Sequence, residues 1–151
     1  MLHLTFCIGP TRFVIDARYV SQVVARVPLR ALPLSEPYVA GLLDFRGTVL
    51  VVVDLAKRMF GTECASSLSS RIIIVRIKHD DREVPLGLIA EQVTELCQAD
   101  APMAERPRSV VQEHDFLGPI VRVDGTLVQR IEVDRVLPDS VRLQIFDQIL
   151  E

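Results

Sequence analysis

Residues 41–61, Gly-Leu-Leu-Asp-Phe-Arg-Gly-Thr-Val-Leu-Val-Val-Val-Asp-Leu-Ala-Lys-Arg-Met-Phe-Gly, constrain the fold more than any other stretch of the chain. Leu42, Leu43 and Phe45 lead into a turn at Arg46 and Gly47, and the β-branched run Val49, Val51, Val52, Val53 returns as a strand. Gly47 can take positive φ without a Cβ clash, which closes the hairpin and carries Arg46 to its tip. Val49, Val51 and Val53 read as one strand face in a core. Asp54 ends the strand and suits the N-cap of a short helix over residues 55–60, because its carboxylate can accept from unpaired backbone N–H groups. Gly61 closes that helix from the other side.

The rest of the chain repeats this grammar of short strands and tight turns. Leu2, Leu4, Phe6 and Ile8 alternate with His3, Thr5 and Cys7, the period of a half-buried strand. Residues 9–11 turn it into a second strand through Phe13, Val14 and Ile15, and a helical turn follows over residues 16–19. Residues 20–27 resume the β pattern, after which Pro28, Pro33 and Pro37 mark a stiff connection. Small polar residues between 61 and 71 form the clearest internal boundary. Residues 72–77 and 84–89 are strands around a turn at 79–82, and residues 93–96 extend the β pattern. Periodicity disappears from 98 to 114, which reads as a loop. Residues 120–128 form a hairpin on Asp124 and Gly125, a pair suited to a type I′ turn. Residues 132–137 read as helical, and Asp139 or Ser140 can cap a last amphipathic helix, residues 140–150, with Val141, Ile145 and Ile149 at four-residue spacing.

Two stretches echo each other. Gly47-Thr48-Val49, with Asp54 six residues after Thr48, recurs as Gly125-Thr126-Leu127 with Glu132 six residues after Thr126. Residues 20–23 have a fainter echo in 93–96. The common order points to two related β units, each finished by a helical turn. Short strands with frequent Gly and Pro turns favour closed barrels, since closure removes unpaired edges.

Composition excludes several function classes. The chain has 151 residues, of which 49 % are hydrophobic and 25 % charged, enough for one sizeable core or two intertwined halves. A net charge of −3, with six Phe, two Tyr and no Trp, opposes nucleic-acid binding, which needs a basic face and stacking surfaces. No apolar run reaches the ~18 residues of a membrane helix. Cys7, Cys64 and Cys97 are far apart and read as reduced thiols. His3, His79 and His114 stand in no triad or metal-ligand spacing and read as satisfied or solvated. Asp80, Asp81 and Asp134 read as solvated surface, and no cofactor, metal or enzymatic activity is expected.

Gly41, Asp44, Arg46, Gly47, Val49, Val52, Val53, Asp54 and Leu55 together resemble the signature of the CheW-like domain, Gly-x-x-Asn-x-Arg-Gly-x-Val-x-Pro-Val-Val-Asp-Leu. Asp44 replaces its Asn and Val51 its Pro. Residues 20–23 are similar to the family's Val-x-Glu-Val, with Gln22 where Glu is common, and residues 87–93 resemble its Gly-Leu-x-Val-Asp-x-Val. The resemblance covers nearly the whole chain. It implies a mainly β fold of two packed five-stranded SH3-like barrels with short helices and a C-terminal helix. It also implies one CheW-like domain over residues 1–151, in approximate halves 1–70 and 71–151 whose termini can cross over. By the same resemblance, Gly41, Gly47, Asp54, Gly87 and Gly125 are structural positions.

The function implied is a non-catalytic, cytoplasmic adaptor. It would couple chemoreceptor hairpin tips to the regulatory domain of a CheA-type histidine kinase, recruited to membrane receptor arrays without entering the membrane. The receptor is expected in the groove between barrels, at Gln22, Val23, Asp44, Arg46 and Val93, and self-association is an open possibility. A bare hairpin tip can also be merely solvated; the family match favours contact at Arg46, since guanidinium holds a carboxylate through two hydrogen bonds. Two alternatives remain: a scaffold of a non-flagellar pathway, for surface sensing, biofilm or type IV pilus motility, and a small β-barrel that binds nucleic acid.

Overall fold

The computed structural model describes residues 1–64, 68–94, 96–99 and 116–149. Their strands are β1 (Leu2–Ile8), β2 (Thr11–Asp16), β3 (Val20–Ala25), β4 (Val39–Phe45), β5 (Thr48–Asp54), β6 (Arg71–His79), β7 (Arg82–Ala90), β8 (Leu96–Gln98), β9 (Leu117–Val123) and β10 (Thr126–Ile131). Two α-helices accompany them, α1 (Leu55–Phe60) and α2 (Asp139–Ile149). The greater part of the expected loop over residues 98–114 lies outside the described residues.

Each hairpin turns on two residues, as the local turn chemistry dictates. Arg46 and Gly47 have φ of +53° and +85°, and Asp124 and Gly125 have +50° and +78°. Positive φ at both positions makes a type I′ turn, whose twist matches that of the flanking strands. Asp80 and Asp81 take the same shape without glycine, at +49° and +62°.

The strands assemble into two five-stranded sheets, one ordered β8-β1-β2-β10-β9 and the other β3-β6-β7-β5-β4. The spatial pattern is the same in both: a single strand, a hairpin, then a second hairpin. It uses the expected repeats in an exchanged way. Strands β1 to β5 form one repeat and β6 to β10 the other, yet each sheet takes its central hairpin from one repeat and its remaining strands from the other. The approximate halves 1–70 and 71–151 are thus crossed by the chain's first strands. The first sheet joins the chain's beginning to its end, and the second is continuous over residues 20–90. Parallel pairs β2–β10 and β5–β7 are the seams of this exchange.

The exchange is held by a shared core. Leu4, Phe6, Ile8, Phe13 and Ile15 of the first sheet pack with Val51, Val53, Ile73, Val75, Leu86 and Leu88 of the second. Each sheet also has a small cluster on its other face, around Leu50, Val52 and Ile74 in one case and Val14, Val121 and Val128 in the other. Central strands are thus buried on both faces, which is why residues 72–75 and 50–53 run apolar without alternation. Val49 departs from expectation: it is 43 % exposed, because it lies at the hairpin end and the shared core begins at Val51.

Helix α2 folds onto this core through Val141, Ile145 and Phe146, the last set edge-on to His79 at 5.0 Å. Asp134 is not simple solvated surface, since its Oδ1 accepts from the backbone N–H of Lys78 at 3.0 Å. Asp54 is 5 % exposed and uses both carboxylate oxygens, Oδ1 accepting from Lys57 N at 3.2 Å and Oδ2 from Cys64 N at 2.9 Å. Replacing Asp54 with Ala should cost about 2 kcal/mol from the lost cap and the orphaned N–H of Cys64. Phe146→Ala should cost about 3–5 kcal/mol from the cavity it leaves. Urea unfolding followed by circular dichroism measures both.

Candidate functional site

The motif hairpin presents its polar groups in a fixed arrangement. Asp44 Oδ1 accepts from the backbone N–H of Gly47 at 3.0 Å, so the carboxylate is spent on its own turn. The change from Asn to Asp at this position leaves that contact intact. Arg46 is exposed, with its guanidinium 5.0 Å from the ring centroid of Phe45. Phe45 in turn packs on the cluster around Leu50 and Val52. Among the described residues Arg46 forms no ion pair.

Gly41 fixes the far end of the same hairpin. Its φ is +148°, and a Cβ there would stand 2.5 Å from the carbonyl oxygen of Arg30. That closeness lets Arg30 and Leu42 exchange backbone hydrogen bonds of 3.0 and 2.7 Å, which lays the proline-rich connection along β4. Gly87 lies in β7 between Val52 and Ile74, and Gly125 lies at the turn equivalent to Gly47.

The remaining candidates occupy other places. Gln22 and Val23 are on β3, one edge of the second sheet, whereas Asp44 and Arg46 belong to the β4 edge. Cross-strand register sets Val23 level with Ile73, Leu88 and Val53. Val53 is five residues beyond Thr48, about 17 Å along the strand. Val23 is 40 % exposed and Gln22 half-buried. Val93 packs on the shared core from the connector between β7 and β8. That connector crosses between sheets: Glu91 and Cys7 exchange backbone hydrogen bonds of 3.0 and 2.8 Å, and Thr94 N donates to Thr5 O at 3.2 Å. The structure therefore sets the Asp44–Arg46 tip and the Gln22–Val23 pair at opposite edges of the second sheet, with Val93 on the connector that follows β7.

Register also assembles a row that sequence spacing hid. His3 stands opposite Asp16 on one side and Cys97 on the other. His3 is 1 % exposed rather than solvated, with Nδ1 3.2 Å from Met1 O and Nε2 without a hydrogen-bond partner among the described residues. Burial pushes its pKa down against the pull of Asp16. Burial also pushes the Cys97 thiol up. A nucleophilic thiolate–imidazolium pair needs both shifts reversed, so the row is not an activated nucleophile. Burial would raise the Asp16 carboxyl, but Arg18 donates to it from its guanidinium and backbone N–H and holds it below the usual range. Cys64 is buried and pushed up to about 11, chiefly by burial and then by Glu91 and Asp54. His79 is buried as well, its Nε2 3.5 Å from Asp80 Oδ2. No cluster of three or more His, Cys, Asp or Glu side chains suited to a metal ion occurs among the described residues. None of their helices is long and apolar enough to cross a membrane.

Two exchanged five-stranded sheets thus carry Arg46, without an ion pair among the described residues, on a type I′ hairpin tip. The sequence matches the CheW-like domain over residues 2–141, and the chain belongs to that family. The chemotaxis protein CheW of Rhizobium meliloti (strain 1021) is 25 % identical over 92 % of this chain and 88 % of its own. That of Bacillus subtilis (strain 168) is 24 % identical over 89 % and 85 %. The crystal structure of the scaffolding protein TtCheW from Thermoanaerobacter tengcongensis superposes with a TM-score of 0.78 at 25 % identity, covering 93 % of this chain and 89 % of that one.

The buried imidazole gives a pH dependence with a definite sign. Between the lowered folded pKa of His3 and its ordinary 6.5 the unfolded chain binds more protons. Stability therefore rises with pH across that window and is lost as pH falls below 6.5. The urea midpoint should be lower at about pH 5.5 than at about pH 7.5, and His3→Leu should flatten the difference.

Proposed function

We propose that this chain is a non-catalytic adaptor that couples chemoreceptor hairpin tips to the regulatory domain of a CheA-type histidine kinase at membrane receptor arrays. The observation that carries this reading, beside the family, is Arg46: exposed, without an ion pair among the described residues, and held on a turn whose own acidic neighbour is already engaged. Such a guanidinium suits a partner carboxylate, which it can hold with two parallel hydrogen bonds. The tip loses little freedom on binding because the type I′ turn and the Phe45 contact fix it beforehand. Gln22 and Val23 on the β3 edge and Val93 on the connector after β7 are the further receptor-contact candidates, and Val23 is exposed.

Calorimetric titration with receptor hairpin tips, and separately with the kinase regulatory domain, tests the reading. Saturable binding to both is expected from the wild type. Arg46→Glu should weaken receptor binding at least about tenfold, or 1.4 kcal/mol, while its melting curve stays unchanged. Absence of binding to either partner from the same organism would remove the adaptor assignment.

A further inference from the structure

Cross-strand register gives the motif hairpin two different faces. Asp44 stands opposite Val49 and Phe45 opposite Thr48, so Asp44 shares a face with Val49 while Phe45 points to the other side. Phe45 packs on the cluster of Leu43 and Leu50, and the Arg46 guanidinium lies over its ring. Asp44 and Val49 continue the opposite face, which further along the hairpin carries Leu42 and Val51 into the shared core. The two charged groups of the hairpin therefore lean to opposite sides of it. The turn bond takes only Oδ1 of Asp44, and Oδ2 accepts no hydrogen bond among the described residues. Beside that carboxylate, Val49 leaves apolar surface open to water.

The second hairpin repeats this shape with the charges exchanged. Arg122 stands opposite Leu127 as Asp44 stands opposite Val49, and Asp124 holds the turn position of Arg46, again with positive φ. Leu127 is exposed as Val49 is. In each case the charged strand residue bonds to the glycine of its own turn: Gly47 N donates to Asp44 Oδ1, and Arg122 Nη1 donates to Gly125 O at 3.5 Å. One chain thus carries two hairpin tips of like shape and opposite sign.

We propose that the receptor clasps the first hairpin from both faces, with a carboxylate against Arg46 and a basic side chain against Asp44 beside an apolar contact to Val49, and that this order of signs selects the first hairpin over the second. The inference rests on the docking role proposed for Arg46 and adds the chemistry of the partner. Charge complementarity supports it. A partner built for the first hairpin would bring its carboxylate to Asp124 and its cation to Arg122 at the second, where like charges repel. Asn at position 44 would keep the turn bond and give up the sign. The carboxylate of Asp44 is therefore a specificity-determining group as well as a turn acceptor.

Calorimetric titration of the full chain with receptor hairpin tips, at about 50 mM and about 300 mM salt, tests this. Asp44→Asn retains an acceptor for Gly47 N, so its melting curve should match that of the wild type. It should weaken binding about threefold or more at the lower salt, and the loss should shrink at the higher as screening sets in. Arg46→Gln should weaken binding as well, and the double variant should show the product of the two losses, because the contacts lie on separate faces. Asp44→Lys should bind more weakly than Asp44→Asn through repulsion. If Asp44→Asn binds as tightly as the wild type, or the double variant is no weaker than Arg46→Gln alone, the two-faced clasp is overturned while the adaptor reading stands on the Arg46 result. A wild type that binds no receptor tip overturns both.

Discussion

The shared apolar layer between the two sheets is the contact on which everything else depends. Neither sheet is a self-contained unit, since each takes its middle hairpin from the other repeat. Residues such as Ile73 and Leu88 are fully buried in the cluster that both sheets share. The same layer seats α2 and, through Leu55, the start of α1. What reaches the surface in fixed geometry, the Arg46 tip above all, is fixed because the strands below it cannot slide.

Several polar groups inside this arrangement fix the position of its elements. Asp54 ties the motif strand to α1 and to Cys64, Asp134 ties the turn before α2 to β6, and Arg58 Nε donates to Val136 O at 3.0 Å between the rings of Tyr38 and Phe116. The bonds of Asp134 and Arg58 join elements far apart in sequence. In the row at His3, burial favours the neutral imidazole and the neutral Cys97 thiol.

Local features were legible in the sequence. Arg46 with Gly47 and Asp124 with Gly125 dictate their turns through backbone sterics that need no distant partner, and Asp54 announces its cap by type and place. Partner strands were not legible. Apolar runs buried on both faces carry no alternation to reveal which neighbour covers which side, so the repeat was visible but the identity of the exchanged hairpins was not. Residues 93–94 carry β-type side chains yet serve as a crossing between sheets; β8 begins only at Leu96 because Thr94 is drawn to Thr5. Among the candidate residues, the pairing of Asp44 with Arg46 follows from hairpin spacing. The separation of Gln22 and Val23 from that tip depends on register across β6, β7 and β5, which no single stretch encodes.

The exchanged hairpin also sets an order of events during synthesis. The second sheet occupies residues 20–90 and has all its strands once β7 has emerged. The hairpin of β1 and β2, made first, must wait for β10, made more than a hundred residues later, before its parallel partner exists. Until then Phe6, Phe13 and Ile15 have only one sheet to lean on. Long-range pairing of this kind slows folding and leaves apolar edges exposed while it is pending. The beginning of this chain is therefore the last part to find its place.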